Sequence, residues 1–299
     1  MERTELKGIY VPLVTPFAAD GTVALDALEK IAHEALDAGA AGLVALGTTG
    51  EPAALTAEER DAVVEVAAAA CAGRGAQLIV GAFGGDTRAT AEALDVLAAR
   101  VPSTAAALVT VPSFVRPGEA GTVAHFRALA ASSPLPLLVY HIPYRTGQEL
   151  SAAALRELAA IDGVVGVKYA TGGLDQASVE LLADAPEGFA FLTGEDAYLS
   201  SALALGAAGG ILASAQLATA RFVELAQAWQ AGDADRARAL GHRLTRLALA
   251  AFTAPNPAVT KGVLHAQGRI PTPDVRLPLL PAGEAEVGAA LALVNGLDH

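Results

Sequence analysis

Eight times along this chain a short apolar run gives way to an amphipathic stretch, and that alternation limits the fold more than any other feature. The apolar runs are GIYVPLVTPF (8–17), AGLVALG (41–47), QLIVGAF (77–83), AAALVTVP (105–112), LPLLVYHIP (135–143), GVVGVK (163–168), FAFLTG (189–194) and AGGILAS (208–214). Between them lie helical patterns: 25–39, which Gly39 ends; 56–73, which opens on Thr-x-x-Glu and closes on glycine; and segments near 87–99, 119–131, 151–160, 174–183, 197–206 and 217–232. Runs buried on both faces and joined by helices are parallel strands with right-handed crossovers. Eight such units in about 230 residues close most naturally into an α/β fold of the (β/α)8 TIM-barrel type, placed at residues 1–232. An open doubly wound sheet would call for a Gly-x-Gly-x-x-Gly turn, which neither GTTGE nor GAFGGD provides. Residues 233–299, mostly helical with a Pro-rich break (APNPAV, IPTPDVRLPLLP), read as a C-terminal helical extension packed on the barrel.

Charge and cysteine content narrow the function classes. A formal net charge of −12 with no long basic run argues against a nucleic-acid partner, because phosphate binding needs clustered Lys and Arg. The single cysteine, Cys71, cannot form a disulfide within the chain; it reads as a packed helix residue and a reducing cytoplasm as the setting. MERTELKG has no apolar signal-peptide core, and the uncharged stretch 197–220, broken by glycines, reads as helix, strand and helix, so no membrane association is expected.

In a barrel, chemistry gathers at the C-terminal ends of the strands and in the loops that follow. Those positions hold Gly47, Thr48, Thr49, Gly50 and Glu51 after strand two, Tyr140, His141, Arg145 and Thr146 around the end of strand five, Lys168 at the end of strand six, and Ser214 and Gln216 after strand eight. Lys168 stands out because the 20 basic residues include only four lysines, and this one caps a valine run. A poorly solvated ammonium favours the neutral amine, which can attack a ketone and form an imine that serves as an electron sink. Position alone leaves a lysine snorkelling out of a strand end equally open. The Gly47-Thr48-Thr49-Gly50 turn suits a carboxylate or phosphate, or is an ordinary turn. Arg145 could grip a carboxylate or lie on the surface, and Tyr140 could carry protons or fill the core. The histidines show no metal spacing, so no metal is expected; His33, His125, His242 and His265 read as surface or packing residues. Glu195-Asp196 reads as a cap for the following helix, and Phe222 and Trp229 as core or interface residues on one helix face.

VPLVTPF, GTTGE, YxxPxRTG and GVK, on strands one, two, five and six in that order, together with PNPAVTKGVL (255–264), resemble the dihydrodipicolinate synthase / N-acetylneuraminate lyase family of class I aldolases from about Gly8 to Leu280. The resemblance implies a Schiff base between Lys168 and pyruvate or another 2-oxo acid, with no cofactor. It implies that Thr48 and Thr49, with Gly47, hold the carboxylate, that Thr48 and Tyr140 relay protons, that Arg145 binds the carboxylate or a distal polar group of a second substrate, for which an aldehyde is the candidate, and that Ile211 offers a carbonyl. It also implies a homotetramer built as a dimer of dimers. Departures accompany it. Phe114, in VPSFVRP, stands where the synthases carry a tyrosine that reaches the neighbouring subunit's site, so water or another hydroxyl such as Tyr144 must substitute, or the reaction does not need it. His141 stands where Asn is frequent and Tyr169 where an acid is common. Ala57, Arg60 and Ser113 replace the lysine-feedback residues, so no inhibition by lysine is expected. The sequence therefore reads as a synthase-like Schiff-base lyase. A 2-oxo-3-deoxy sugar-acid aldolase or dehydratase is the alternative, and a non-catalytic binder of 2-oxo acids is the alternative of another class.

Overall fold

The computed structural model describes residues 5–84 and 86–298. Its strands are β1 (Gly8–Pro12), β2 (Gly42–Ala45), β3 (Gln77–Gly81), β4 (Thr104–Thr110), β5 (Leu137–His141), β6 (Val164–Tyr169), β7 (Ala190–Thr193) and β8 (Gly209–Ile211). They pair in sequence order and close into a barrel, the (β/α)8 fold expected from the alternation. The helices are α1 (Leu25–Asp37), α2 (Ala57–Ala72), α3 (Thr87–Arg100), α4 (Gly118–Ser132), α5 (Pro143–Thr146), α6 (Ala152–Ala159), α7 (Gln176–Ala183), α8 (Leu199–Ala204), α9 (Thr219–Gln230), α10 (Ala234–Ala251), α11 (Ala258–Ala266) and α12 (Glu284–Asn295). Every residue of β2, β5 and β6 is buried, which is why these runs are apolar throughout rather than alternating.

Local chemistry sets the ends of the elements. Thr56 and Glu59 form the reciprocal capping box at the start of α2 that Thr-x-x-Glu predicts. Gly39, at φ +91°, ends α1 in the left-handed conformation that glycine adopts without strain. The first strand is shorter than the 8–17 run suggests and stops at Pro12. Beyond it the backbone turns to side chains: the Gln216 amide accepts from Val14 N at 3.1 Å and donates to Pro12 O at 2.6 Å, and Thr15 Oγ1 donates to Gly50 O at 2.8 Å.

Two compact units can be distinguished, one built on Ile79–Gly210 and the other on Gly8–Leu78 with the chain from Ile211 onward. The first carries β4 to β7 with α3 to α8. Its β5–β6 register sets Tyr140 opposite Lys168 and His141 opposite Tyr169. The second carries β1 and β2, where Tyr10 lies opposite Gly42, and the C-terminal helices; α10 packs on α9, and α12 packs on α10 and α11. No helix among the described residues is long and apolar enough to cross a membrane.

Candidate active site

The end of β6 places Lys168 in a confined, apolar position. Gly166, two residues earlier and therefore on the same face of the strand, allows close approach: a Cβ there would lie 2.4 Å from Ala190 O. At Gly194, just past β7, a Cβ would come within 2.9 Å of Lys168 Cε and 2.8 Å of Ala170 Cβ, so the lysine stem occupies space that this glycine leaves. Lys168 is 6% exposed, and its Nζ lies over the Tyr140 ring, 4.3 Å from the centroid. Among the described residues it has no ion-pair partner.

The other buried lysine behaves differently. Lys261, in α11, is fully buried; its Nζ donates to Glu51 Oε1 at 2.7 Å and to Asp274 O at 2.6 Å and sits 3.9 Å from the Phe17 ring centroid. Burial pulls its pKa down to about 8, against the opposing charge of Glu51. Glu51 was a candidate site residue by position, and the structure makes it an anchor instead: its Oε2 also accepts from Arg276 N at 2.8 Å. The Arg276 guanidinium grips Glu59 with two bonds of 2.6 Å and lies over the same Phe17 ring, holding the Glu59 pKa down at about 2.

The GTTGE segment is a strained turn. Leu46 (φ +53°) and Glu51 (φ +54°) adopt left-handed backbone on either side of it, costly for side-chain-bearing residues. Between them Gly47 is extended and Thr48–Gly50 form a short 3-10 turn. Thr49 is buried, and its Oγ1 accepts from Asn256 Nδ2 at 3.0 Å. Ile211, the last residue of β8, is buried, as are Ser214 and Gln216 after it.

After β5 the candidates part company. Tyr140 is buried against Lys168, whereas Arg145 is exposed on α5 with its guanidinium 5.5 Å from the Tyr144 ring centroid. Phe114 (96% exposed) and Tyr144 (88% exposed) stand in open solvent. The reading of Glu195 as a helix cap is corrected: it precedes the turn Asp196–Tyr198 without capping it, and its Oε1 accepts from Gly172 N at 3.0 Å in the loop after β6. Burial raises the Glu195 pKa, opposed by the Gly172 bond and the Lys168 charge.

His141 and Tyr169 form a separate buried group. Tyr169 donates its hydroxyl to Asp175, with contacts of 2.8 and 2.9 Å to the two carboxylate oxygens, and Asp175 caps α7 through Ser178 N. Burial, then Asp175, pushes the Tyr169 pKa up. The His141 ring sits 5.2 Å from that of Tyr169, its Nδ1 is buried without a partner, and burial lowers its pKa from 6.5 to about 4 against the pull of Asp175. Between those two values the unfolded chain binds a proton that the folded chain refuses, so folding stability falls as pH drops from 6.5 towards 4. The full contribution is roughly 3 kcal/mol. His141→Asn is expected to flatten this part of the profile. Urea midpoints of both proteins at pH 7 and pH 4.5 measure it, and equal losses on acidification would refute the assignment.

The sequence model of the Dihydrodipicolinate synthetase family matches residues 5–295. The chain belongs to this family. Members are class I lyases that form a lysine Schiff base, and this chain is a lyase of that class. It is 36% identical over 294 residues to the 4-hydroxy-tetrahydrodipicolinate synthase of Laribacter hongkongensis, covering 97% of this chain and 99% of that one. It is 35% identical over 280 residues to 4-hydroxy-tetrahydrodipicolinate synthase 2 of Clostridium acetobutylicum, covering 94% and 96%. The crystal structure of the chloride-inhibited dihydrodipicolinate synthase of Acinetobacter baumannii, in complex with pyruvate, superposes with a TM-score of 0.90 at 30% identity, covering 97% and 99%.

Proposed function

We propose that this lyase acts on pyruvate or a closely related 2-oxo acid, with Lys168 as the amine that forms the imine. The observation that carries this reading is the contrast between the two buried lysines: Lys261 is neutralised by Glu51, while Lys168 is confined against Tyr140 with no ion-pair partner among the described residues. An ammonium tied into an ion pair is unavailable to a substrate, whereas an amine at a strand end with no carboxylate in ion-pair contact can reach a carbonyl carbon. In the proposed sequence the Lys168 amine adds to the ketone carbon, and the carbinolamine loses its hydroxyl as water with a proton from Tyr140. The Tyr140 phenolate so formed takes a proton from the adjacent carbon to give an enamine; that carbon attacks an aldehyde, whose oxygen takes the proton back from Tyr140, and water then hydrolyses the product imine and frees the Lys168 amine. Thr48, Thr49 and the Gly47 backbone hold the carboxylate, Arg145 meets the acceptor, and Ile211 offers its carbonyl.

The synthase relatives support an aldehyde acceptor. Phe114 favours a second reading, a 2-oxo-3-deoxy sugar-acid aldolase or dehydratase, because a phenyl ring cannot pass a proton. Phe114→Tyr is expected to raise condensation with aspartate semialdehyde at least several-fold if a relay hydroxyl is limiting; no change points to the sugar-acid substrates.

We read residues 233–299 as an extension of the barrel and the enzyme as a cytoplasmic homotetramer. Phe114 and Val115 (67% exposed), adjacent in the loop after β4, and Tyr144 after β5 are exposed large apolar side chains of the kind a second copy covers. Light scattering tests the assembly. Incubation with pyruvate and sodium borohydride, followed by intact mass and peptide mapping, tests the central reading: a reduced adduct on Lys168 supports it, and no adduct, or one elsewhere, removes it.

A further inference from the structure

We propose that Asn256 is a positioning residue that fixes the direction of the Thr49 hydroxyl, and that the segment from Asn256 to Arg276 thereby finishes the carboxylate subsite. The inference rests on the reading of Thr49 as a carboxylate ligand. A threonine hydroxyl has one proton to give and lone pairs to receive. Asn256 Nδ2 donates to Thr49 Oγ1 at 3.0 Å, filling an acceptor position and leaving the hydroxyl proton for another partner. A carboxylate oxygen is the partner such a donor serves best. Among the described residues Thr49 is the one hydrogen-bond partner of the Asn256 side chain, and Asn256 Oδ1 is buried with none. An amide held by a single bond, with its oxygen left unpaired, contributes little as a structural brace.

The turn that carries Thr49 is secured by the same stretch of chain. Asn256 stands just before α11; that helix supplies Lys261 to Glu51 Oε1, and Arg276 N reaches Glu51 Oε2. Glu51 is one of the two left-handed residues bracketing the turn, and Thr15 fixes Gly50 O from the other side. The backbone of the turn and the hydroxyl on it are thus set by different side chains, which makes them separable by mutation.

The test is borohydride trapping on Lys168 with two ketones, pyruvate and acetone, the second lacking the carboxylate. Asn256→Asp accepts the Thr49 proton instead of donating, and adds a negative charge. It is expected to raise the half-saturating pyruvate concentration roughly tenfold to a hundredfold, with the acetone response unchanged. Asn256→Ala, which removes the donor without adding charge, is expected to shift the same ratio in the same direction by several-fold, and it keeps the test available if the aspartate variant does not fold. Equal shifts for both ketones, or no shift for pyruvate, would overturn the proposal. No Lys168 adduct in the unsubstituted protein would overturn the imine reading, and this inference with it.

Discussion

Replacing Lys168 by alanine is expected to lower kcat/KM for turnover of the 2-oxo acid by at least about a thousandfold, because in the proposed mechanism the electron sink for carbon–carbon chemistry is formed on that nitrogen. Lys168→Arg should be equally inactive: a guanidinium does not give up its proton and cannot add to a ketone. Tyr140→Phe should retain the imine but slow the proton transfers, by roughly a hundredfold to ten-thousandfold. Steady-state kinetics beside borohydride trapping separate these outcomes. Lys168→Ala with near-normal turnover would exclude the mechanism. An unsubstituted protein that binds pyruvate without adduct or turnover would point to the non-catalytic binder.

Lys261→Met is expected to be the most destabilising of the substitutions considered. Lys261 and Glu51 are both essentially removed from solvent at 2.7 Å separation, and taking away one partner leaves the other buried and charged. The cost is on the order of 3–5 kcal/mol. In a chain of this length that corresponds to about 5–8 °C in Tm. The double substitution Glu51→Gln with Lys261→Met should recover part of the loss, because the amide still accepts from Arg276 N and no charge is left stranded. Thermal and urea unfolding of the two variants measure this. A single variant within about 1 kcal/mol of the parent, or a double variant no better than the single, would show that the pair is not coupled as described.

The barrel was legible in the sequence because its strands are buried on both faces, so each writes itself as an uninterrupted apolar run, and because Thr56, Glu59 and Gly39 mark helix ends by local bonding alone. The strand-end positions of Lys168 and Tyr140 were legible for the same reason, as polar residues closing apolar runs, while the roles proposed for them came from the resemblance. What escaped was set by partners distant in the chain. Glu195 had the sequence of a helix cap, yet its carboxylate turns to Gly172, 23 residues back. Glu51 looked like part of a ligand-binding turn, and only the approach of Lys261 and Arg276 reveals it as the fastening of that turn. Asn256 lay in a segment noted for its resemblance to relatives, with nothing in its neighbours to point to Thr49. The Tyr169–Asp175 bond spans only six residues and could have been anticipated from the strand-to-helix spacing.

The Glu51–Lys261 pair has a consequence for the newborn chain. The two residues are 210 positions apart, and the Arg276–Glu59 clamp joins residues 217 apart. On a ribosome the turn bearing Thr48 and Thr49 must wait until Lys261, 210 positions after Glu51, has been made before its fastenings arrive. Until then the Glu51 carboxylate lacks both its partners, Lys261 and Arg276. A later segment of the protein therefore completes a much earlier one, and chains cut short before Lys261 should never acquire a finished site.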